Sequence, residues 1–193
     1  LRWATCAART AGVASWISAV DTLPVFMPFA LASSSRVDWG VPPRSTLRRP
    51  LTVFVPVDHA LAVDADGVHI GQDDMPYAVA RRLLGDNKII GVTVHNLDEA
   101  TDAVGMGADY LGVSPIFATG TKDDAGGPCG VGLIEAVRRA YAVSIAAIGG
   151  ITLENADGVI AAGADMLCAI SAVVTATDVA GEIRKFQRKY TLS

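Results

Sequence analysis

The sequence predicts an α/β fold, a (β/α)8 TIM barrel, and three observations predict it. From residue 51 onward, short β-branched apolar runs alternate with longer amphipathic stretches. One turn phrase, a small residue or glycine followed by Ala-Asp, recurs three times between an amphipathic stretch and the next apolar run. Polar and glycine residues gather just after the runs, at the end where a parallel barrel keeps its active site.

The strand candidates, in order, are Leu51–Val55, Gly67–Ile70, Ile89–Val94, Tyr110–Ser114, Ser144–Ile148 and Met166–Ile170. Each is nearly continuous in apolar character, as parallel strands covered on both faces must be. Between and after them lie the helix candidates Asp58–Val63, Met75–Leu84, Leu97–Met106, Val131–Tyr141, Leu153–Ala162 and Val179–Tyr190. Asn96, with Glu99 three positions on, reads as a helix cap with its capping-box partner. Thr152 followed by Glu154 is a looser start signal. The recurrent turns are Val63-Asp64-Ala65-Asp66-Gly67, Met106-Gly107-Ala108-Asp109-Tyr110 and Ala162-Gly163-Ala164-Asp165-Met166. Three copies of one αβ turn imply one repeated βα unit.

Strands 3–8 of the barrel are thus legible in residues 51–171. Strands 1 and 2 must come from residues 1–50, where Ala14–Val20 and Val25–Ala30 carry weak strand patterns, so residues 1–193 are expected to form a single domain. The first fifty residues differ in kind from the rest. They hold six Arg against two Asp and no Lys or Glu, a charge of +4 beside the −4 of the whole chain. Trp3, Trp16 and Trp39 and five of the nine prolines also lie there. This Arg- and Ser-rich, acid-poor segment has the composition of a transit peptide, but its removal would leave too few strands for the barrel.

The 193 residues are 51% hydrophobic and 19% charged, which excludes a disordered chain. A net charge of −4 gives no reason to expect nucleic acid as a partner. Cys6, Cys129 and Cys168 are far apart and odd in number, so neither a zinc site nor a disulfide framework is expected. Reduced thiols point to the cytoplasm. The longest apolar stretch, Leu23 to Ala32, is broken by Pro24 and Pro28, so no membrane partner is expected. A homo-oligomer is compatible with all of this.

The residues that follow the strands carry the chemistry. Gly71-Gln72-Asp73-Asp74 follows the second run, Thr93 and His95-Asn96 the third, and Pro115 to Lys122 the fourth. Gly149-Gly150-Ile151 follows the fifth and Ser171 the sixth. Gly149-Gly150 lets backbone N–H groups approach an anion closely, and Ser171 opens a turn into the final helix, whose positive end favours phosphate. Thr119-Gly120-Thr121-Lys122 adds two hydroxyls, a flexible backbone and an ammonium, from one of only four lysines. Asp123-Asp124 could be metal ligands, but such a pair is more often a solvated acidic turn. Asp73-Asp74 could cap the helix near Met75-Pro76 or hold Mg²⁺ against a diphosphate, and two acids allow both. His69 reads as interior and His59 as a surface helix residue. His95 either touches substrate or supports the cap at Asn96. None of the three reads as a general base.

These phrases closely resemble the thiamine phosphate synthase family. The matching residues run from Ala60-Leu61-Ala62-Val63 through Asp66 to Pro76, then Ile90 to Asn96, Gly107 to Val113 and Thr119 to Lys122, and end with Ala147 to Ile151 and Ile170-Ser171-Ala172. The resemblance implies an Mg²⁺-dependent transferase of thiamine biosynthesis. Such an enzyme couples a pyrimidine methyl diphosphate to a thiazole phosphate and releases diphosphate. By position, Asp74 would ligate Mg²⁺, and Thr93 and Lys122 would hold the pyrimidine diphosphate and carry the catalysis. Thr119, Gly120, Thr121, Gly149, Gly150, Ile170 and Ser171 would hold the thiazole phosphate. Two family features have no counterpart. Residues 1–50 contain no Gln-Leu-Arg-x-Lys phrase, and Phe54 and Val55 stand where the family carries Asn-Asp. The resemblance therefore leaves a second reading open, a barrel that binds the phosphorylated thiazole without coupling it.

Overall fold

The computed structural model describes residues 30–32, 52–53, 57–120 and 127–191. Seven strands form one sheet: β1 (Ala30–Ala32), β2 (Thr52–Val53), β3 (Gly67–Ile70), β4 (Ile89–Val94), β5 (Tyr110–Val113), β6 (Ser144–Ile148) and β7 (Met166–Cys168). Their order is β1-β7-β6-β5-β4-β3-β2. Strands β2 to β7 run parallel to one another, so each crossover between them needs a helix. Those helices are α1 (Val57–Ala62), α2 (Tyr77–Leu84), α3 (Leu97–Met106), α4 (Gly130–Ala140) and α5 (Ala156–Ala161). The short α6 (Ser171–Val174) and the longer α7 (Val179–Thr191) follow β7. The six predicted βα units are present in order.

Several ends differ from the sequence expectation. Strand β5 stops at Val113, because Pro115 has no N–H to continue the ladder. Strand β7 stops at Cys168, because the Ile170 carbonyl is taken by the N–H groups of Val173 and Val174 as α6 begins. Helix α5 starts at Ala156 rather than Leu153. Asn155 Oδ1 accepts the Thr152 N–H at 2.8 Å, which makes residues 152–155 a turn. Of the strand expected at Val25–Ala30 only Ala30 lies among the described residues; it opens β1, which runs antiparallel to β7. Ala14–Val20, Phe54 and Val55 lie outside the described residues.

Strand alternation divides the molecule into two cores. Val68, Ile70, Ile90, Val92, Val94, Leu111, Val113, Ile145, Ala147 and Leu167 face outward into the large cluster shared with the helices. Ile89, Tyr110, Ala146, Met166 and Cys168 form a second, smaller cluster on the inner face. Both faces are therefore dry, as the apolar runs required. The inner face is concave. His69 on β3 and Tyr110 on β5 are separated by β4, yet their ring centroids lie 5.3 Å apart. Strands two positions apart in a flat sheet stand roughly 9–10 Å apart, so the sheet curls toward this side as a barrel wall does.

The Ala-Asp turns close the opposite end. Asp109 Oδ2 accepts the Ile90 N–H and an Arg81 guanidinium N–H, both at 2.7 Å. Asp165 Oδ2 accepts the Ile145 N–H and also pairs with Arg138. In both, the Asp backbone N–H donates to the carbonyl of the same strand residue at 2.9 Å. The third copy is looser: Ile89 N–H donates to the Asp66 carbonyl, and Lys88 Nζ donates to Asp64 Oδ1 and to the Ala65 carbonyl.

Candidate active site

Parallel pairing fixes which loops meet. Ile70 pairs with Val92, Val94 with Val113, Val113 with Ala147, and Ile148 with Cys168. The segments after β3, β4, β5, β6 and β7 therefore leave the sheet at one rim.

The β5 and β6 loops are stitched together. Ile116 N–H donates to the Ile148 carbonyl at 2.9 Å, and Phe117 N–H donates to the Gly149 carbonyl at 3.0 Å. Gly149 and Gly150 have φ of 101° and 63°, a region that costs other residues strain. A Cβ on Gly149 would stand 2.6 Å from Pro115 Cβ, and one on Gly150 would stand 2.6 Å from the Ala118 carbonyl oxygen. Asn155 completes the brace by donating to the Gly150 carbonyl at 3.0 Å. Thr119, half-buried, and Gly120, exposed, extend from this platform. The base of the loop is shut by Cys129 N–H on the Pro115 carbonyl and Gly130 N–H on the Ile116 carbonyl. Burial pushes the Cys129 thiol pKa up, and its S–H donates to the Pro115 carbonyl. Thr121, Lys122, Asp123 and Asp124 lie outside the described residues.

Ile170 and Ser171 leave β7 beside this platform. Ser171 opens the four-residue α6, not the final helix. That helix, α7, begins at Val179, where Asp178 Oδ1 accepts the Gly181 N–H at 2.8 Å. The polar run Thr175-Ala176-Thr177-Asp178 separates the two and supplies the second start.

On the other side of the rim, Asp74 Oδ2 accepts the Gly71 N–H at 2.7 Å. Helix α2 begins at Tyr77 with Pro76 as its N-cap residue and no side-chain cap, so neither Asp73 nor Asp74 caps it. Asp74 stays exposed at the end of β3. One carboxylate fits Mg²⁺ chemistry when substrate phosphates supply further oxygens. Among the described residues there is no group of three acidic, His or Cys side chains that could cage a metal alone. His95 belongs to the α3 cap: its backbone N–H and ring both contact Glu99 Oε2, while Glu99 N–H donates to Asn96 Oδ1 and Asn96 Nδ2 donates to Glu99 Oε1. His59 is exposed on α1.

Beneath Thr93 the barrel interior holds polar groups that the sequence reading did not join. His69 Nδ1 lies 2.9 Å from the Tyr110 hydroxyl, and His69 Nε2 lies 2.7 Å from Thr93 Oγ1. Burial lowers the His69 pKa to about 3, so the ring is neutral at any working pH. Burial also raises Tyr110 well above its ordinary value and pushes Cys168 up to about 12. Gln72 Nε2 donates to the Thr93 carbonyl at 2.6 Å. The signal for this cluster was present in Gly91 and Gly112, two glycines inside strands that mark close approach. A Cβ on Gly91 would stand 2.0 Å from Tyr110 Cζ, and one on Gly112 would stand 2.6 Å from His69 Cε1.

The family model described as thiamine monophosphate synthase matches residues 47–173. The chain belongs to that family. A thiamine-phosphate synthase of Chloroflexus aurantiacus is 57% identical over 138 residues, 72% of this chain and 63% of that one. One from Methanosarcina mazei is 59% identical over 130 residues, covering 67% of this chain and 54% of the other. The chain thus spans less than two thirds of the length of these curated relatives. Among solved structures, a thiamine phosphate pyrophosphorylase from Pyrococcus furiosus superposes with a TM-score of 0.69 at 38% identity, over 75% of this chain and 68% of that one. A 3-hexulose-6-phosphate synthase, at 19% identity and a TM-score of 0.54, shares the barrel fold. No helix among the described residues is long and apolar enough to cross a membrane.

Proposed function

We propose that the protein is a thiamine phosphate synthase, coupling the pyrimidine methyl diphosphate to thiazole phosphate. The observation that carries the reading is the stitched β5–β6 platform with β7 beside it at the rim. Thr119, Gly120, Thr121, Gly149, Gly150, Ile170 and Ser171 hold the thiazole phosphate, with backbone N–H groups and hydroxyls as donors. Thr93 and Lys122 hold the diphosphate. Asp74 would hold Mg²⁺, which would supply charge neutralisation to that leaving group.

In the reaction the bond from the pyrimidine methylene to the diphosphate oxygen breaks and its electron pair leaves with diphosphate. The thiazole nitrogen lone pair forms the new carbon–nitrogen bond. Positioning and countercharge are the chief needs of such a step. This accords with the imidazole that reaches Thr93, His69, being buried and neutral. The same reading takes residues 1–193 as one domain acting in the cytoplasm on two soluble phosphorylated substrates. A second reading, binding of thiazole phosphate without coupling, is favoured by Phe54 and Val55 at the positions where the family carries Asn-Asp.

Purified protein given both substrates and Mg²⁺ should release diphosphate. No turnover, with thiazole phosphate still raising the melting temperature, supports the second reading instead. Lys122→Ala should weaken the pyrimidine diphosphate about tenfold, the loss of one charge-assisted hydrogen bond. Unchanged affinity by calorimetry removes Lys122 from the site.

A further inference from the structure

A barrel interior is ordinarily filled by branched apolar side chains. Here β3, β4 and β5 instead place His69, Thr93 and the Tyr110 hydroxyl in one hydrogen-bonded chain. Two strand positions are emptied to admit the rings, since any side chain at Gly91 or Gly112 would collide with Tyr110 or His69. An apolar pair of similar volume would fill this space with no polar group to satisfy. The chain ends at Thr93, the half-exposed residue at the rim, whose carbonyl is held in turn by Gln72.

We propose that His69 is a positioning residue: as the Nε2–H tautomer it donates to Thr93 Oγ1, which leaves the threonine proton to be donated outward to an oxyanion at the rim. The direction of the chain follows from donor and acceptor strengths. A phenol is a better donor than acceptor, and the unprotonated nitrogen of a neutral imidazole is a good acceptor. Tyr110 O–H therefore donates to Nδ1, the ring proton sits on Nε2, and Nε2–H donates to Thr93. The threonine hydroxyl has one proton and cannot return it to Nε2–H. The chain thus leaves the Thr93 proton to be donated toward a ligand acceptor such as a phosphate oxygen. That the ligand is diphosphate rests on the synthase reading above; the tautomer does not.

The experiment uses the intact protein with ¹⁵N-histidine and, as probe, inorganic diphosphate with Mg²⁺. NMR of the unliganded protein should show a protonated Nε2 and an unprotonated Nδ1 at His69; the reverse pattern overturns the proposal. His69→Gln, whose amide N–H can take the place of Nε2–H, should bind diphosphate within about threefold of the unaltered protein, whereas His69→Asn should bind about tenfold more weakly. In a Thr93→Val background the His69→Asn change should cost less than about twofold, because the group it orients is gone. Independent, additive losses overturn the proposal, as a merely structural role would give. If the unaltered protein binds no diphosphate, the synthase reading of the rim falls, and the tautomer alone decides the role of His69.

Discussion

The two ends of this sheet are built differently. At the end where the strands begin, one construction is used twice: an arginine in the last turn of a helix, Arg81 or Arg138, reaches the aspartate that follows the next helix, Asp109 or Asp165. Each carboxylate also holds the first strand between them by its N–H. At the end where the strands finish, no two loops are alike. One is braced by Asn155, one is shut by Cys129 and Gly130, one is tied by Asp74 to Gly71, and one turns at once into α6. Repetition serves joining a helix to a strand, which every unit needs alike. Variety appears where each unit offers a different group to a ligand.

The interior links the ends, so the largest effect is expected there. Gly91→Ala places a methyl inside the Tyr110 ring and should cost roughly 3 kcal/mol, the upper range of overpacking, and weaken ligand binding as well. Urea unfolding that shows less than about 1 kcal/mol of loss would mean the interior is looser than drawn. Next is Arg138→Ala, which strips a partner from Asp165, only 13% exposed, and should cost about 2 kcal/mol while leaving phosphate affinity within about twofold. A clear loss of affinity would break the division between the ends. Gly150→Ala adds to a left-handed backbone cost of about 1–2 kcal/mol the collision of its Cβ with the Ala118 carbonyl, and it should lower thiazole phosphate affinity about tenfold. Affinity measured by calorimetry and stability by urea separate the two outcomes, and unchanged affinity removes Gly150 from the cradle.

The same contrast explains what could be read in the sequence. The helices and parallel strands from residue 57 onward were legible because apolar periodicity is a local signal, and Leu97–Met106 with its Asn96 cap was read to the residue. The start of α2 was misplaced because Asp73-Asp74 before Met75-Pro76 imitates a cap, while Asp74 closes its own turn on Gly71. Ser171 opens α6 rather than the final helix because four residues of helix fit inside the turn expected before Val179, and only the polar run Thr175-Ala176-Thr177-Asp178 marks the break. At the rim, Gly149-Gly150 was visible as a motif, but its packing on Pro115 and Ala118 was not, since those contacts cross from one strand end to the next. The tie between His69, Tyr110 and Thr93 spans three strands and depends on how the sheet curls, which no single segment encodes.

The fit of Tyr110 over Gly91, and of His69 over Gly112, has a consequence for descent. Neither position can drift by itself. A lineage that enlarges residue 91 meets a steric penalty until residue 110 shrinks, and shrinking residue 110 first leaves a void in the barrel and takes a partner from His69. Homologous chains should therefore change these residues together or keep both, and a chain carrying a bulky residue at 91 beside an intact tyrosine at 110 should curl its sheet differently.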